Sequence, residues 1–182
     1  MIRKTKGFTL IELLIVVAII GILAALLIPN IMSAIQRGRQ KGTMGDIHTL
    51  ATNLTDYITE NGTFGDNTKD WGTISQGDLD FLVPFYAKKY PLYDKWGHLL
   101  YIALGAADVQ GYTLSSEDEF AIGSTGRDTT FQWNWDGQID YGDYSDGSDF
   151  YYVKEMDDFK GDIVNINGSF VCAPETAVST GS

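Results

Sequence analysis

Apolar side chains fill the chain almost without a break from Phe8 to Ile28, and Glu12 is the one charged residue among them. About 20 consecutive apolar residues are enough to cross the hydrocarbon core of a bilayer as a helix. The pattern predicts a transmembrane helix over residues 8–29 behind a short basic leader, residues 1–7. A secretory signal peptide or a plain single-pass anchor would explain the length of this run. Neither explains Glu12, because a carboxylate within a span is costly and indicates a function.

Beyond Pro29 the apolar positions recur every three or four residues, which predicts an amphipathic helix over residues 30–62 with one face on a domain core. Pro29 has no amide hydrogen for an internal helical bond, so it should kink or loosen the turn before it. Three glycines interrupt the pattern and make a local distortion of the helix plausible. The pair Asn61–Gly62 should end the helix. The apolar positions are Ile31, Ile35, Met44, Ile47, Ala51, Leu54 and Ile58, and the glycines are Gly38, Gly42 and Gly45.

Short strand-like runs after the helix predict a small antiparallel sheet, so the fold class is α+β, with a long N-terminal helix packed on a β-sheet domain over residues 63–172. Residues 162–171 form a predicted hairpin that turns at Asn167–Gly168, a dipeptide suited to a type I′ turn. Residues 173–182 are predicted to be a disordered tail. Further strands are predicted at 99–104, 112–116 and 120–124, a loop at 63–76, and a short helix or turn at 78–86.

The chain has 13 basic and 24 acidic residues and a formal net charge of −11. Loss of the leader would remove three basic residues and leave −14. Such an acidic surface argues against nucleic acid and anionic lipid as partners, and it leaves cations and basic protein surfaces as candidates. Cys172 is the only cysteine, so no intramolecular disulfide exists, and we expect it to be a small apolar residue near the end of a strand.

The sequence GFTLIEL at residues 7–13, with the apolar run that follows it to Pro29, resembles the cleavage motif of type IV pilins and of the pseudopilins of type II secretion. The resemblance implies that a prepilin peptidase cuts after Gly7 and methylates the new amino terminus at Phe8. It also implies that Glu12 pairs with the Phe8 amine of a neighbouring subunit in a homopolymeric filament. The segment before Pro29 can lose helical bonds upon assembly in proteins of this kind.

The pairing of Glu12 with an amine has a physical reason. A free amine on Phe8 in apolar surroundings is costly without a partner, which favours a nearby carboxylate. The two residues are four apart and share one helical face, and the first turn of a helix favours an anion. Lysine and arginine are equally numerous on both sides of the span and do not orient it. The resemblance implies a cytoplasmic leader, a single pass through the inner membrane and a C-terminal domain in the periplasm.

The segment from Asp94 to Tyr101 resembles the entry to the first strand in the major pseudopilins of type II secretion. It has the pattern Asp-x-Trp-Gly-x-x-x-Tyr, with Lys95 where proline or glycine is common. His98 is expected to be a surface or turn residue, and the two histidines of the chain are too few and too isolated for a zinc site.

Fourteen acidic residues lie between Asp108 and Asp162, opposed by three basic ones. Many carboxylates near glycines suit calcium, which takes six to eight oxygen ligands, although no EF-hand spacing occurs. Residues 124–128 and 158–163 resemble the segments that support a calcium-bound loop in major pseudopilins. The resemblance implies calcium ligands at Asp128, Asp158 and Asp162, with Asp136 and Asp140 as weaker candidates. A merely solvated acidic loop stays open as the alternative.

Aromatic residues Trp133 and Trp135 alternate with polar ones in this loop, which favours core or intersubunit packing over a binding surface. The function expected from the resemblance is a structural filament subunit, most closely the major pseudopilin of type II secretion. It would assemble on an inner-membrane platform into a filament in the periplasm or at the cell surface. The alternatives are a type IV pilus major subunit and a membrane-anchored acidic binding module. Nucleophile elbows and phosphate loops are absent from the sequence, which disfavours an enzyme.

Overall fold

The computed structural model describes residues 7–131, 150, 151, 153, 156 and 158–174. The chain divides into two compact units, Met1–Arg37 and Gly38–Ser182. Helix α1, Leu10–Asn61, contributes residues to both. The predicted span therefore falls in the first unit and the predicted sheet in the second, and the α+β class is confirmed.

In the first unit, α1 exposes apolar side chains around its whole circumference. Its most apolar 18-residue window has a mean hydropathy of 3.1, and none of that window is buried. Among the described residues α1 is the one helix long and apolar enough to cross a membrane. The helix is continuous through position 29. A surface that is apolar on all sides is typical of a helix that is covered by lipid or by other helices.

In the second unit, six strands form one sheet in the order β1-β2-β5-β7-β8-β6, and β3 pairs with β4 in a separate hairpin. All neighbouring strands are antiparallel except β6 and β8. The strands are β1 Lys69–Thr73, β2 Tyr101–Leu104, β3 Ala107–Val109, β4 Tyr112–Leu114, β5 Phe120–Ser124, β6 Phe150–Tyr151, β7 Ile163–Ile166 and β8 Ser169–Pro174. Within the described residues, 3₁₀ turns lie at Gly65–Asn67, Asp80–Leu82 and Asp158–Lys160.

The sheet is covered on both faces. The buried stripe of α1, which includes Ile47, Leu50 and Leu54, packs in one cluster with sheet residues such as Ile102 and Ile122. A second cluster on the other face holds side chains from the β3–β4 hairpin together with residues that alternate with the first set. Its buried members are Ala103, Ala107, Val109, Leu114, Ala121, Val164, Ile166 and Cys172. The expectation that Cys172 is a small apolar residue in a strand is confirmed.

Two local predictions rest on glycine chemistry and are confirmed. The main chain has φ of 49° at Asn167 and 87° at Gly168, which is the pair of positive values that a type I′ hairpin turn requires. Gly62 has φ of 84°, and its N–H donates to the Ile58 carbonyl at 2.7 Å, which closes the last turn of α1.

The structure differs from the sequence prediction at strands β1 and β8. Residues 69–73 form the edge strand β1 and not a loop, because Trp71 packs against Tyr101 and Phe131 with ring centroids 5.6 and 5.3 Å away. A single aromatic residue in a polar stretch gives no alternating pattern, so the sequence does not predict this strand. Strand β8 continues to Pro174, two residues past the predicted end of the domain at Cys172, and it buries Ala173 completely.

The glycines of α1 do not interrupt it. Gly42 faces the segment that leads into β2, and a Cβ at position 42 would lie 3.0 Å from Cγ of Lys95. The same segment is tied to the helix by the Lys95 N–H, which donates to Thr43 Oγ1 at 3.0 Å, and by an ion pair between Lys95 and Asp46. A close approach of loop to helix explains glycine at this position.

A partly buried carboxylate fastens the start of β1. Partial burial opposes ionisation of Asp78, but the Ser75 N–H at 2.7 Å and the Lys69 ammonium at 2.9 Å outweigh it and lower the pKa of Asp78. A depressed pKa means that this group stabilises the fold above its ordinary pKa and that the stabilisation is lost as the pH falls through the depressed value.

We predict that Asp78→Asn reduces the free energy of unfolding of the second unit by about 1 kcal/mol or less at neutral pH. The difference from the unaltered protein should shrink as the pH falls below 3.8, the ordinary pKa of this group, and through the depressed pKa of Asp78, because the side chain at position 78 is then uncharged in both proteins. Chemical denaturation across this pH range measures it. A difference that stays constant with pH would contradict the ion pair as its source.

Candidate functional site

The start of α1 is closed by a reciprocal pair of side chains. Thr9 precedes the helix, and both its N–H and its hydroxyl donate to Oε2 of Glu12, at 2.9 and 2.6 Å. The Glu12 N–H in turn lies 3.4 Å from Thr9 Oγ1. This arrangement is a capping box, in which a threonine at the cap and a glutamate three residues on satisfy the free amides of the first turn. Thr9 is not among the residues predicted above, although the Thr-x-x-Glu spacing is a recognised sequence signal for this box.

The residues implied in processing lie just ahead of that cap. Gly7 and Phe8 are not helical, both are exposed, and Phe8 exposes 76% of its surface. A cleavable bond in an exposed non-helical segment is accessible to a peptidase. Oε1 of Glu12 accepts no hydrogen bond from residues 7–131, so the cap contact occupies one of the two carboxylate oxygens.

The Asp94 carboxylate is the centre of a buried network in the second unit. Asp94 exposes 5% of its surface. Its Oδ1 accepts hydrogen bonds from the N–H groups of Trp96 and His98, both at 2.9 Å, which fixes the turn from 94 to 98. Its Oδ2 accepts the Ser124 hydroxyl at 2.8 Å. One carboxylate therefore joins the entry of β2 to the end of β5.

From Ser124 the network continues into the next segment. The Gly126 N–H donates to Ser124 Oγ at 3.2 Å, and the Gly126 carbonyl accepts the ring Nδ1–H of His98 at 2.9 Å. His98 thus lies in a turn, as expected, but it is half-buried and holds the backbone of residue 126. Only Gly fits there, because φ is 61° and a Cβ would lie 2.6 Å from the Gly161 carbonyl oxygen.

The segments that carry the candidate calcium ligands are neighbours. The Arg127 N–H donates to the Phe159 carbonyl at 2.9 Å, and the Arg127 guanidinium donates to the Met156 carbonyl at 2.9 Å. Asp162 is completely buried, whereas Asp128 and Asp158 are half-buried.

The carboxylates themselves do not converge in the described part of the chain. Asp128 Oδ1 accepts the Thr130 N–H at 3.0 Å, so this group closes its own turn. Over residues 7–131 and 158–174, no group of three or more His, Cys, Asp or Glu side chains is placed to hold a metal ion. Asp136, Asp140, Trp133 and Trp135 lie outside the described residues. The calcium site therefore stays a prediction.

An exposed apolar helix with a capped carboxylate near its start, followed by a helix half packed on an antiparallel sheet, defines a pilin-like protein. A family model described as the prokaryotic N-terminal methylation motif matches residues 2–28. Three similar proteins are type II secretion system core protein G of Pseudomonas aeruginosa (31% identical, 69% of this chain and 88% of the relative), the same protein of Vibrio cholerae (29%, 72% and 94%) and type IV major pilin protein PilA of Myxococcus xanthus (41%, 38% and 31%).

The extent of these matches distinguishes the type IV pilins from the type II secretion system core protein G as the family of this chain. The type IV pilin match covers 69 residues and less than a third of that relative, whereas the two core protein G matches cover 133 and 141 residues and most of each relative. This chain belongs to the family of the type II secretion system core protein G. No solved structure matches it significantly.

We predict that Asp94→Ala lowers the free energy of unfolding by about 3 kcal/mol or more, because it leaves two buried N–H groups and one hydroxyl without an acceptor. The matched variant Ser124→Ala removes one of these bonds and should lower it by about 1 kcal/mol. Chemical denaturation of the two variants measures both values. Equal losses would show that Asp94 acts through Ser124 alone.

Proposed function

We propose that this protein is the major pseudopilin of a type II secretion system, a structural subunit that polymerises through its N-terminal helix into a pilus-like filament. The observation that carries the proposal is the match to core protein G over 88% of the relative's length, together with the N-terminal methylation motif. The match to the relative from Pseudomonas aeruginosa covers 69% of this chain, and the motif covers residues 2–28. Its maturation is cleavage after Gly7 by a prepilin peptidase, followed by methylation of Phe8.

The apolar surface of α1 explains why such a subunit is first stored in a membrane and then polymerises. Burial of apolar surface contributes roughly 25 cal/mol per Å² relative to water. Lipid supplies this burial for the single subunit in the inner membrane, and neighbouring α1 helices supply it in the filament. The leader lies in the cytoplasm and the sheet domain in the periplasm, where an inner-membrane assembly platform extracts the subunit.

Glu12 sets the register of the filament in this proposal. Its cap contact to Thr9 uses one carboxylate oxygen and leaves the other for the methylated Phe8 amine of the adjacent subunit. An amine and a carboxylate that meet within apolar surroundings neutralise each other, whereas either group alone carries a large desolvation penalty. Subunits shifted from the paired register would bury both charges unpaired.

We predict that Glu12→Gln is cleaved and methylated normally but assembles roughly tenfold less filament or worse. Glutamine can serve in a capping box but carries no charge, so this variant separates the pairing role from the capping role. Filament yield in a cell that carries the secretion machinery is the measurement. Thr9→Val is the control, because it removes the hydroxyl contacts of the cap and keeps the carboxylate, and it should still assemble. Normal filaments from Glu12→Gln would contradict the pairing.

We also propose that the second unit binds calcium through Asp128, Asp158 and Asp162. The support is the resemblance of both segments to calcium-binding segments and their adjacency through the Arg127–Phe159 hydrogen bond. Calcium accepts carboxylate and main-chain carbonyl oxygens in flexible geometry, and it would offset the acidic charge of this region. Asp136 and Asp140 are the candidates for further ligands.

We predict that calcium raises the thermal midpoint of the second unit. A ligand of the native state at a hundred times its dissociation constant stabilises that state by about 2.7 kcal/mol. Asp128→Ala and Asp158→Ala should reduce or abolish the shift. Asp56→Asn is the matched control, since it removes an exposed carboxylate on α1 and should keep the shift. An unchanged midpoint for the unaltered protein over a calcium titration would refute the site.

A further inference from the structure

One aromatic side chain projects from the second unit almost without cover. Phe85 is 89% exposed. The backbone beside it is nevertheless fixed, since the N–H groups of Tyr86 and Ala87 both donate to the Leu82 carbonyl, at 2.9 and 3.1 Å. The Tyr86 hydroxyl donates to Glu60 Oε2 of α1 at 2.6 Å. Because its neighbours are anchored, Phe85 is held outward and would lose little conformational freedom on binding.

Two lysines follow this aromatic. Lys88 and Lys89 are both exposed, and neither forms an ion pair with any residue that the structure describes. We refer to Phe85, Lys88 and Lys89 as the aromatic–basic turn. In a chain with 24 acidic residues, a solvated pair of lysines is attracted to the acidic surfaces of other copies of the same chain.

An open groove of about 420 Å³ has the complementary character. Its lining includes the half-buried side chain of Ile58 beside the almost completely buried Phe120, and Asp118 and Glu119 supply its acidic groups. Glu119 is fixed, because its Oε2 accepts the Ser115 N–H at 2.6 Å, whereas Asp118 is exposed. We refer to this feature as the acidic groove. The groove is open to solvent, and its acidic residues are complementary in charge to an aromatic flanked by lysines.

The turn and the groove lie on different sides of the end of α1. Tyr57 and Asn61 contact Tyr86 beside the aromatic–basic turn, with a ring separation of 5.4 Å and a hydrogen bond of 3.1 Å. Thr55 and Thr59 line the acidic groove. These pairs are offset by two positions, or about 200° around a helix. The turn and the groove of one copy are therefore different surfaces, and a contact between them in successive copies is heterologous, which gives an open filament when the rotation between copies does not close.

We propose that the aromatic–basic turn of one copy docks in the acidic groove of the next copy in the filament. The Phe85 ring packs against Ile58 in the groove, and Lys88 and Lys89 lie near the Asp118 carboxylate. This contact rests on the proposed function, since it needs a polymer, but it involves the folded domains and is independent of the Glu12 pair. It adds lateral stability to a filament whose register is set by the N-terminal helices.

Cross-linking in assembled filaments tests the contact directly. A chain with both Lys88→Cys and Asp118→Cys should give a ladder of covalent multimers with a short thiol-reactive cross-linker. Each single variant should give dimers at most, and the unaltered chain should give none, because Cys172 is buried. Filaments of normal appearance that yield no ladder from the double variant would overturn the proposal.

Truncation and charge exchange test its energetics. Phe85→Ala should raise the concentration of unassembled subunit about tenfold, which corresponds to about 1.4 kcal/mol. Tyr93→Ala, at another exposed aromatic, is the control and should leave it unchanged. Lys88→Glu with Lys89→Glu should weaken filaments, and Asp118→Lys added to the same chain should restore them in part. No effect of Phe85→Ala, or no restoration, would overturn the contact. Absence of filaments from the unaltered chain would overturn this proposal together with the proposed function.

Discussion

A single buried carboxylate connects three parts of the sheet domain, and the acidic region depends on it. Asp94 fixes the turn into β2, holds Ser124 at the end of β5 and, through Ser124 and His98, positions the backbone at Gly126. Gly126 in turn packs against the carbonyl of Gly161. A buried charge without partners is strongly unfavourable, so the segments that satisfy Asp94 form together or not at all. This cooperativity brings two distant aspartate-bearing segments side by side.

The two units have surfaces of opposite character, one apolar and the other acidic. The first unit presents a helix that is apolar on all sides and has a mean hydropathy of 3.1, so it needs lipid or other helices. The second unit is acidic, and copies of an acidic domain repel one another at close range. Polymerisation therefore needs local contacts that overcome this repulsion. The exposed Phe85 with its two lysines, and the acid-rimmed groove on the other side of α1, provide such a contact without altering the net charge.

Much of the fold followed from local patterns in the sequence. The length of the apolar run, the three-to-four spacing on α1 and the Asn167–Gly168 turn each reflect a constraint that acts within a few residues. The resemblance to the family rested on the residues around Glu12, which the methylation-motif model also matches, and on the segment that begins at Asp94. The edge strand β1 could not be found in this way, because Trp71 is its one large apolar residue and its partners, Tyr101 and Phe131, are distant in the chain.

The sequence by itself determined the apolar helix, its carboxylate and the α+β class, because periodicity and residue type are sufficient for each. Only the tertiary structure decided which polar residues work together. Two hydrogen bonds connect Asp94 with Ser124 and His98 with Gly126 across 30 and 28 residues of chain, and no spacing rule links these residues. The same holds for the exposure of Phe85 and for the groove at Asp118. Burial and exposure depend on which segments pack together, and that is fixed only when the sheet and helix have formed.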